Sequence, residues 1–401
     1  MRAMTTLALA VSLALAMAGR AAAQDRIVVR PEPGTPVVAV EVLVAAGSAD
    51  EPAEQTGIAY LTARAVTAPV QPLLDSLGVR LAVDAQKDAV SLTLTAAPDV
   101  WEEATRAVLA ALFRDPVDSA SVMRTRRAIA QELEAREASP ADALAGEVER
   151  AVFGAEHPWG RPAVGRAETV TRLRVREVDE FLRGNFTPDR SIVAVVGPVE
   201  RDEVFDFLRP TLGFDALKVT AVDPPTPAEE PVRQNYNSIT TWVSASWHFG
   251  EDADVEALRM LMRLALQRVE FGPSRRSVYN ARGELLRHAG GGELRLHLVV
   301  PPREAEQWAD ALRQAVAGYA DQTLSPQIFA ERLRRYRGER LLELDLPEAR
   351  ARELARAAML GDAGESLTGL DGLTPDRLHD AARSLDAPII VFLGPSVEDG
   401  A

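Results

Sequence analysis

The sequence predicts an α+β fold of two homologous duplicated domains, each a mainly antiparallel sheet with helices packed on one face. Three observations carry this. The same order of strand-like and helix-like stretches is written twice along the chain. Its 401 residues are too many for one ordinary domain and suit two. Finally, 47% hydrophobic and 26% charged residues are the balance of a chain with a packed core.

In the first copy, Val37 to Ala46 reads as a strand, and Ser91-Leu-Thr-Leu-Thr-Ala-Ala-Pro98 alternates like a half-buried one. A helix carrying Trp101, Val108, Leu109 and Leu112 follows, then an arginine-rich helix from about Ser121 to Arg136. In the second copy, Leu294-Arg-Leu-His-Leu-Val-Val-Pro-Pro302 leads into a helix with Trp308, Ala311, Leu312 and Val316. An arginine-rich helix from about Pro326 to Leu344 follows it. The ends of the copies match too. Arg176 to Phe181 reads as a helix before Ser191-Ile-Val-Ala-Val-Val-Gly-Pro-Val-Glu200, and Arg377 to Leu385 reads as one before Pro388-Ile-Ile-Val-Phe-Leu-Gly-Pro-Ser-Val-Glu398. Continuous Val/Ile runs closed by Gly-Pro suit central strands buried on both faces. The domains are therefore expected at residues 24–217 and 233–396, joined by a proline-rich, charged, semi-extended linker at 218–232.

The first 23 residues read as an address. Arg2, an apolar run from Leu7 to Ala18 and the small triplet Ala21-Ala22-Ala23 describe a cleavable signal peptide, cut after Ala23. The apolar run is too short to span a bilayer. The expected location is periplasmic or secreted. With 59 acidic against 45 basic residues, the net charge of −14 argues against a general affinity for nucleic acid. The chain has no cysteine, which excludes disulfides, thiol catalysis, iron–sulfur clusters and cysteine zinc sites.

One stretch carries a specific resemblance. Gly47-Ser-Ala-Asp-Glu-Pro-Ala-Glu-Gln-Thr-Gly-Ile-Ala-Tyr-Leu-Thr-Ala-Arg64 follows a strand and opens a helix. With Phe153-Gly-Ala-Glu-His-Pro-Trp-Gly160, Asn185-Phe-Thr-Pro188 and the two-fold repeat, it resembles the pitrilysin/insulinase-like metallopeptidases, the family of the mitochondrial processing peptidases. The resemblance covers nearly all of the chain after residue 23. In active members the run continues into His-x-x-Glu-His, two imidazoles one helical turn apart holding zinc and a glutamate activating its water. A later helix adds a glutamate as third ligand. Carried over residue by residue, the first histidine falls on Tyr60, the glutamate on Ala63, the second histidine on Arg64 and the third ligand on or near Glu132. Ala63 cannot accept a proton, and Arg64 is a permanent cation. The resemblance therefore implies a member with no catalytic residues, no zinc and no other cofactor. The Arg64 guanidinium is expected to stand in for the metal and pair with Glu132.

Active members also hold substrate with an arginine and a tyrosine in a Leu-Arg-x-x-x-Gly-(Leu/Ile)-x-Tyr stretch. Here that stretch is Val278-Tyr-Asn-Ala-Arg-Gly-Glu-Leu-Leu286, where the arginine has become Tyr279 and the tyrosine Leu286. Tyr279 and Arg282 remain as a possible displaced pair for substrate or partner contact, on what reads as a surface helix. None of the five histidines (His157, His248, His288, His297, His379) has another three or four residues away. His157 reads as structural; His248 and His297 read as strand side chains. Gly290-Gly-Gly292 reads as a connection, and the basic run from Arg332 to Arg340 as a solvated helix face.

The resemblance implies a non-catalytic partner subunit of an active homologous metallopeptidase that carries the intact zinc motif, in peptide processing or degradation, with extended peptides as a further partner. Two alternatives stand beside it: a metalloendopeptidase with a rearranged site, and a stand-alone peptide-binding protein.

Overall fold

The computed structural model describes residues 26–223, 225–270, 277–361 and 369–395. The expected signal peptide, 1–23, lies outside the described residues. Among the described residues, ten strands form two sheets. They are β1 (Ile27–Pro31), β2 (Val38–Val44), β3 (Arg80–Ala85), β4 (Val90–Ala96) and β5 (Ser191–Gly197), then β6 (Val232–Asn235), β7 (Thr241–Gly250), β8 (Asn280–His288), β9 (Gly291–Val300) and β10 (Ile389–Gly394). The sheet orders are β1-β5-β2-β4-β3 and β6-β10-β7-β9-β8, one order with every strand number raised by five. In each, the outer pair, β1 with β5 or β6 with β10, is parallel and the other pairings are antiparallel. Identical topology in both halves is the duplication that the sequence repeats predicted.

The helices are α1 (Ile58–Thr67), α2 (Gln71–Ser76), α3 (Trp101–Phe113), α4 (Ser119–Glu137), α5 (Pro140–Phe153), α6 (Ala167–Arg172), α7 (Val175–Asn185) and α8 (Arg201–Leu212), then α9 (Val255–Glu270), α10 (Ala305–Asp321), α11 (Pro326–Glu343), α12 (Pro347–Met359) and α13 (Pro375–Arg383). Trp101 and Trp308 stand near the start of α3 and α10, where the repeat placed them.

The chain gathers into two compact units that are not single stretches. Unit 1 takes the chain up to Ala130, Ala163–Thr220 and Glu343–Leu367. Unit 2 takes Gln131–Pro162, Ala221–Leu342 and the chain from Thr368. Each copy thus contributes one helix, α5 or α12, to the unit that holds the other copy's sheet.

In unit 1 every residue of β2 and β5 is buried, so the sheet is covered on both faces. Helix α3 lies on β2 and β4. The other face, presenting Ala39, Leu43, Ile192, Ala194 and Val196, packs on Ala351, Leu354, Ala355 and Met359 of α12. In unit 2 the core face of β7 and β9 presents Val243, Ala245, Trp247, Leu294, Leu296 and Leu298 to Leu258, Leu261, Leu312, Val316 and Leu378 of α9, α10 and α13. There α5 packs on β10 and β7. Each copy's own helices cover one face of its sheet, as expected, and the exchanged helix covers the other.

Part of the expected linker is held in place. The Thr226 and Ala228 N–H groups donate to the carbonyls of Phe153 and Ala151, at 3.4 and 2.7 Å. Those carbonyls belong to the last turn of α5, where no intrahelical donor is available. The segment is a clamp on a helix end, a role its proline-rich composition does not reveal.

Candidate functional site

Strand β2 delivers the chain to Gly47, and a charged loop then starts α1. Gly47 packs so closely on the turn before β4 that a Cβ would lie 2.6 Å from the Ala89 nitrogen. Its own N–H donates to Asp50 Oδ2 at 3.0 Å, while Asp50 Oδ1 receives the Arg190 guanidinium and the Thr220 hydroxyl. Glu51, 5% exposed, turns inward; its carboxylate accepts from the N–H groups of Gly57 (2.9 Å) and Ala59 (3.0 Å). A carboxylate on the otherwise unpartnered N–H groups of a helix start is a strong cap, because charge and dipole agree. Gly57 takes φ +92°, and a Cβ there would sit 2.8 Å from the Cα of Gly165. The Gly-Ser-x-Asp-Glu-Pro…Thr-Gly run is thus a device that fixes the first turn of α1.

The first two turns of α1 carry Tyr60, Ala63 and Arg64, the positions that the resemblance aligns with the zinc motif. The Ala63 methyl is fully buried. Arg64 is half-buried; it donates to Tyr60 Oη at 3.1 Å, and its guanidinium lies 5.4 Å from the centre of the Tyr60 ring. A phenol, a methyl and a guanidinium do not fit zinc: there is no imidazole, no base, and a fixed cation stands where a ligand is needed. Glu132 is exposed on α4, in the part of that helix that falls in unit 2, whereas Tyr60, Ala63 and Arg64 belong to unit 1. Among the described residues no group of three or more His, Asp or Glu side chains could hold a metal ion.

The second-half stretch requires a correction. Tyr279 and Arg282 do not lie on a surface helix; Tyr279 immediately precedes β8 and Arg282 is within it. The Tyr279 N–H donates to Val299 O at 2.9 Å, and Arg282 pairs with Glu284 at 2.8 Å. Three residues apart in extended chain, the two side chains point to opposite faces, so they form no pair. The Glu-Leu-Leu-Arg pattern looks helical, but pairing with β9 through the Ala289-Gly290 hairpin turn overrides it. Tyr279 is 64% exposed, an aromatic ring at the edge strand of the sheet.

His157 caps a short turn: its Nδ1 accepts from Trp159 N at 3.1 Å and its Nε2 donates to Asp223 O at 2.9 Å. His248 and His297 are side chains of β7 and β9. The basic run is only partly a solvated face. Arg332, Arg334 and Arg335 are exposed, but Arg340 is buried, 3.9 Å from Glu256.

Sequence reading missed Glu41. It sits mid-strand in Val-Ala-Val-Glu-Val-Leu-Val, 1% exposed, with its carboxylate accepting from Ser91 Oγ and from Thr93 Oγ1 at 2.6 Å. Burial pushes its pKa up to about 7 against those two hydrogen bonds. A lone charge inside an apolar strand was the available signal.

No protein-family model matches the sequence. An uncharacterized zinc protease of Mycobacterium tuberculosis is 28% identical over 251 residues, 61% of this chain and 52% of that protein. Among solved structures, a peptidase M16 inactive domain from Pseudomonas fluorescens superposes with a TM-score of 0.78 at 15% identity, covering 92% of this chain and 96% of that one. The sequence relatives are named zinc proteases, and the fold is that of the M16, or pitrilysin-like, peptidases. The chain spans about half the length of the curated zinc-protease relatives it matches. The periplasmic protease PqqL from Escherichia coli superposes with a TM-score of 0.71 at 13% identity, over 93% of this chain but only 45% of that one.

Proposed function

We propose that this chain is an exported, non-catalytic M16 subunit, partnered with a homologous metallopeptidase that carries the intact zinc motif and acts in peptide processing or degradation. The observation that carries the reading is α1, built and capped as a metal-binding helix would be, with Tyr60, Ala63 and Arg64 in place of two ligands and a base. A similar fold described as an inactive domain supports it, as does the match to less than half of a longer periplasmic protease. Export rests on the pattern of residues 1–23. No helix among the described residues is long and apolar enough to cross a membrane. In this reading the exposed Tyr279, at the β8 edge, contacts peptide or partner.

Titration is the test. A homologue from the same genome with an intact His-x-x-Glu-His motif is assayed on unstructured peptides with increasing amounts of this chain. Saturable binding and a rise in the partner's activity are expected. A homologue fully active alone, with no binding, refutes the subunit role.

A further inference from the structure

The face of the unit 1 sheet beneath α12 is not wholly apolar. Ala39, Glu41 and Leu43 alternate onto it from β2. Thr93 stands directly opposite Glu41 in the ladder, and Ser91 diagonally. Both hydroxyls turn onto the carboxylate, and α12 closes over it with Ala351, Leu354, Ala355 and Met359. Polar clamps surround this apolar seam. Thr95 Oγ1 donates to Glu348 Oε1 at 2.7 Å; Arg350 reaches Glu32 at 2.7 Å; Arg356 holds both Asp88 oxygens at 2.7 and 3.0 Å.

We infer that Glu41 is a proton-operated latch for α12: protonated, it lets the helix seat fully on the sheet, and ionised, it loosens that helix alone. The charged groups around it do not cancel its charge. From α12, Arg352 favours the ionised form through space, while Glu348 is engaged with Thr95 and Arg356 with Asp88. From β3, Asp84 opposes ionisation. From β5 the opposite residue is Ala194, which carries no charge. Two hydroxyl donors and one cation acting through space leave an ionised carboxylate in a closed apolar seam, a costly state that water would relieve. The cheapest route to water is to lift the one covering helix rather than to part the hydrogen-bonded sheet. The direction of the Glu41 shift agrees: its proton is held more tightly under the helix than it would be in water.

Amide hydrogen exchange on the full chain tests this, with rates corrected for intrinsic pH dependence. Protection of α12 is compared at about pH 5.5 and about pH 8.5, with α3, on the opposite face of the same sheet, as internal reference. A loss of roughly tenfold or more in α12 protection at the higher pH is expected, with α3 unchanged. In Glu41→Gln, which keeps the shape and cannot ionise, α12 should stay protected at both values. Equal loosening of α3 and α12 overturns the proposal, as does a pH response that survives Glu41→Gln. Should that variant not fold, the wild-type comparison of α12 with α3 decides alone.

Discussion

Glu51 and Gly57 set the angle at which α1 leaves its loop, so substitutions there test the local frame directly. Glu51→Ala removes two charge-assisted bonds to buried N–H groups and should cost about 2–3 kcal/mol in urea unfolding, with Glu51→Gln costing less. Gly57→Ala forces a left-handed alanine and a contact with Gly165; it should cost about 1–3 kcal/mol from backbone strain alone. Glu41 predicts a pH dependence. Its folded pKa, about 7, exceeds its ordinary value of 4.5, so the folded chain holds this proton more tightly than the unfolded one. Its contribution to stability is fully present below pH 4.5, is lost as pH rises through about 7, and then stays flat. The loss is at most about 3 kcal/mol, and chemical denaturation across pH should show it in wild type and not in Glu41→Gln. At this scale the vacant motif was legible: the identities of Tyr60, Ala63 and Arg64 carry their own chemistry. The bond between Arg64 and Tyr60 was not, since i and i+4 spacing permits a contact without selecting it.

Helix α12 shows how an element acquires its place. Taken alone, Pro347–Met359 is a half-apolar stretch interrupted by arginines. Its apolar side is claimed by the sheet of the other copy, through Leu354 above all. Leu354→Ala should cost about 2–5 kcal/mol, depending on how far the seam collapses, and calorimetry can measure it. Protection of α12 should fall with it. Strand β8 shows the converse case. Its local pattern suits a helix, and only the facing β9, joined through a two-residue turn, makes it a strand. The strands β5 and β10 fell within the stretches read as strands, and β4 and β9 overlap theirs but start earlier, at Val90 and Gly291, because period-two burial is written in the residues themselves.

On the scale of the whole molecule, the prediction concerns chemistry. Purified protein lacking residues 1–23 should hold only substoichiometric zinc by elemental analysis and should not cleave unstructured peptides by itself. Chelator-sensitive hydrolysis abolished by a substitution in this chain would contradict that, since α1 offers neither base nor imidazole. Restoring the motif with Tyr60→His, Ala63→Glu and Arg64→His should raise zinc binding, because the two imidazoles would stand one helical turn apart on a helix already capped.

The sequence by itself determined the duplication, the type of most elements and the identities of the side chains at Tyr60, Ala63 and Arg64. Each follows from residue identity and short-range periodicity, which need no partner to be read. Tertiary structure decided which sheets α5 and α12 cover, that residues before β6 clamp the end of α5, that Tyr279 and Arg282 belong to a sheet edge, and that Glu41 lies sealed under α12. Those outcomes depend on partners outside the local stretch, from the neighbouring β9 to Leu354, which lies hundreds of positions from Leu43, and burial against such a partner leaves no local period in the chain.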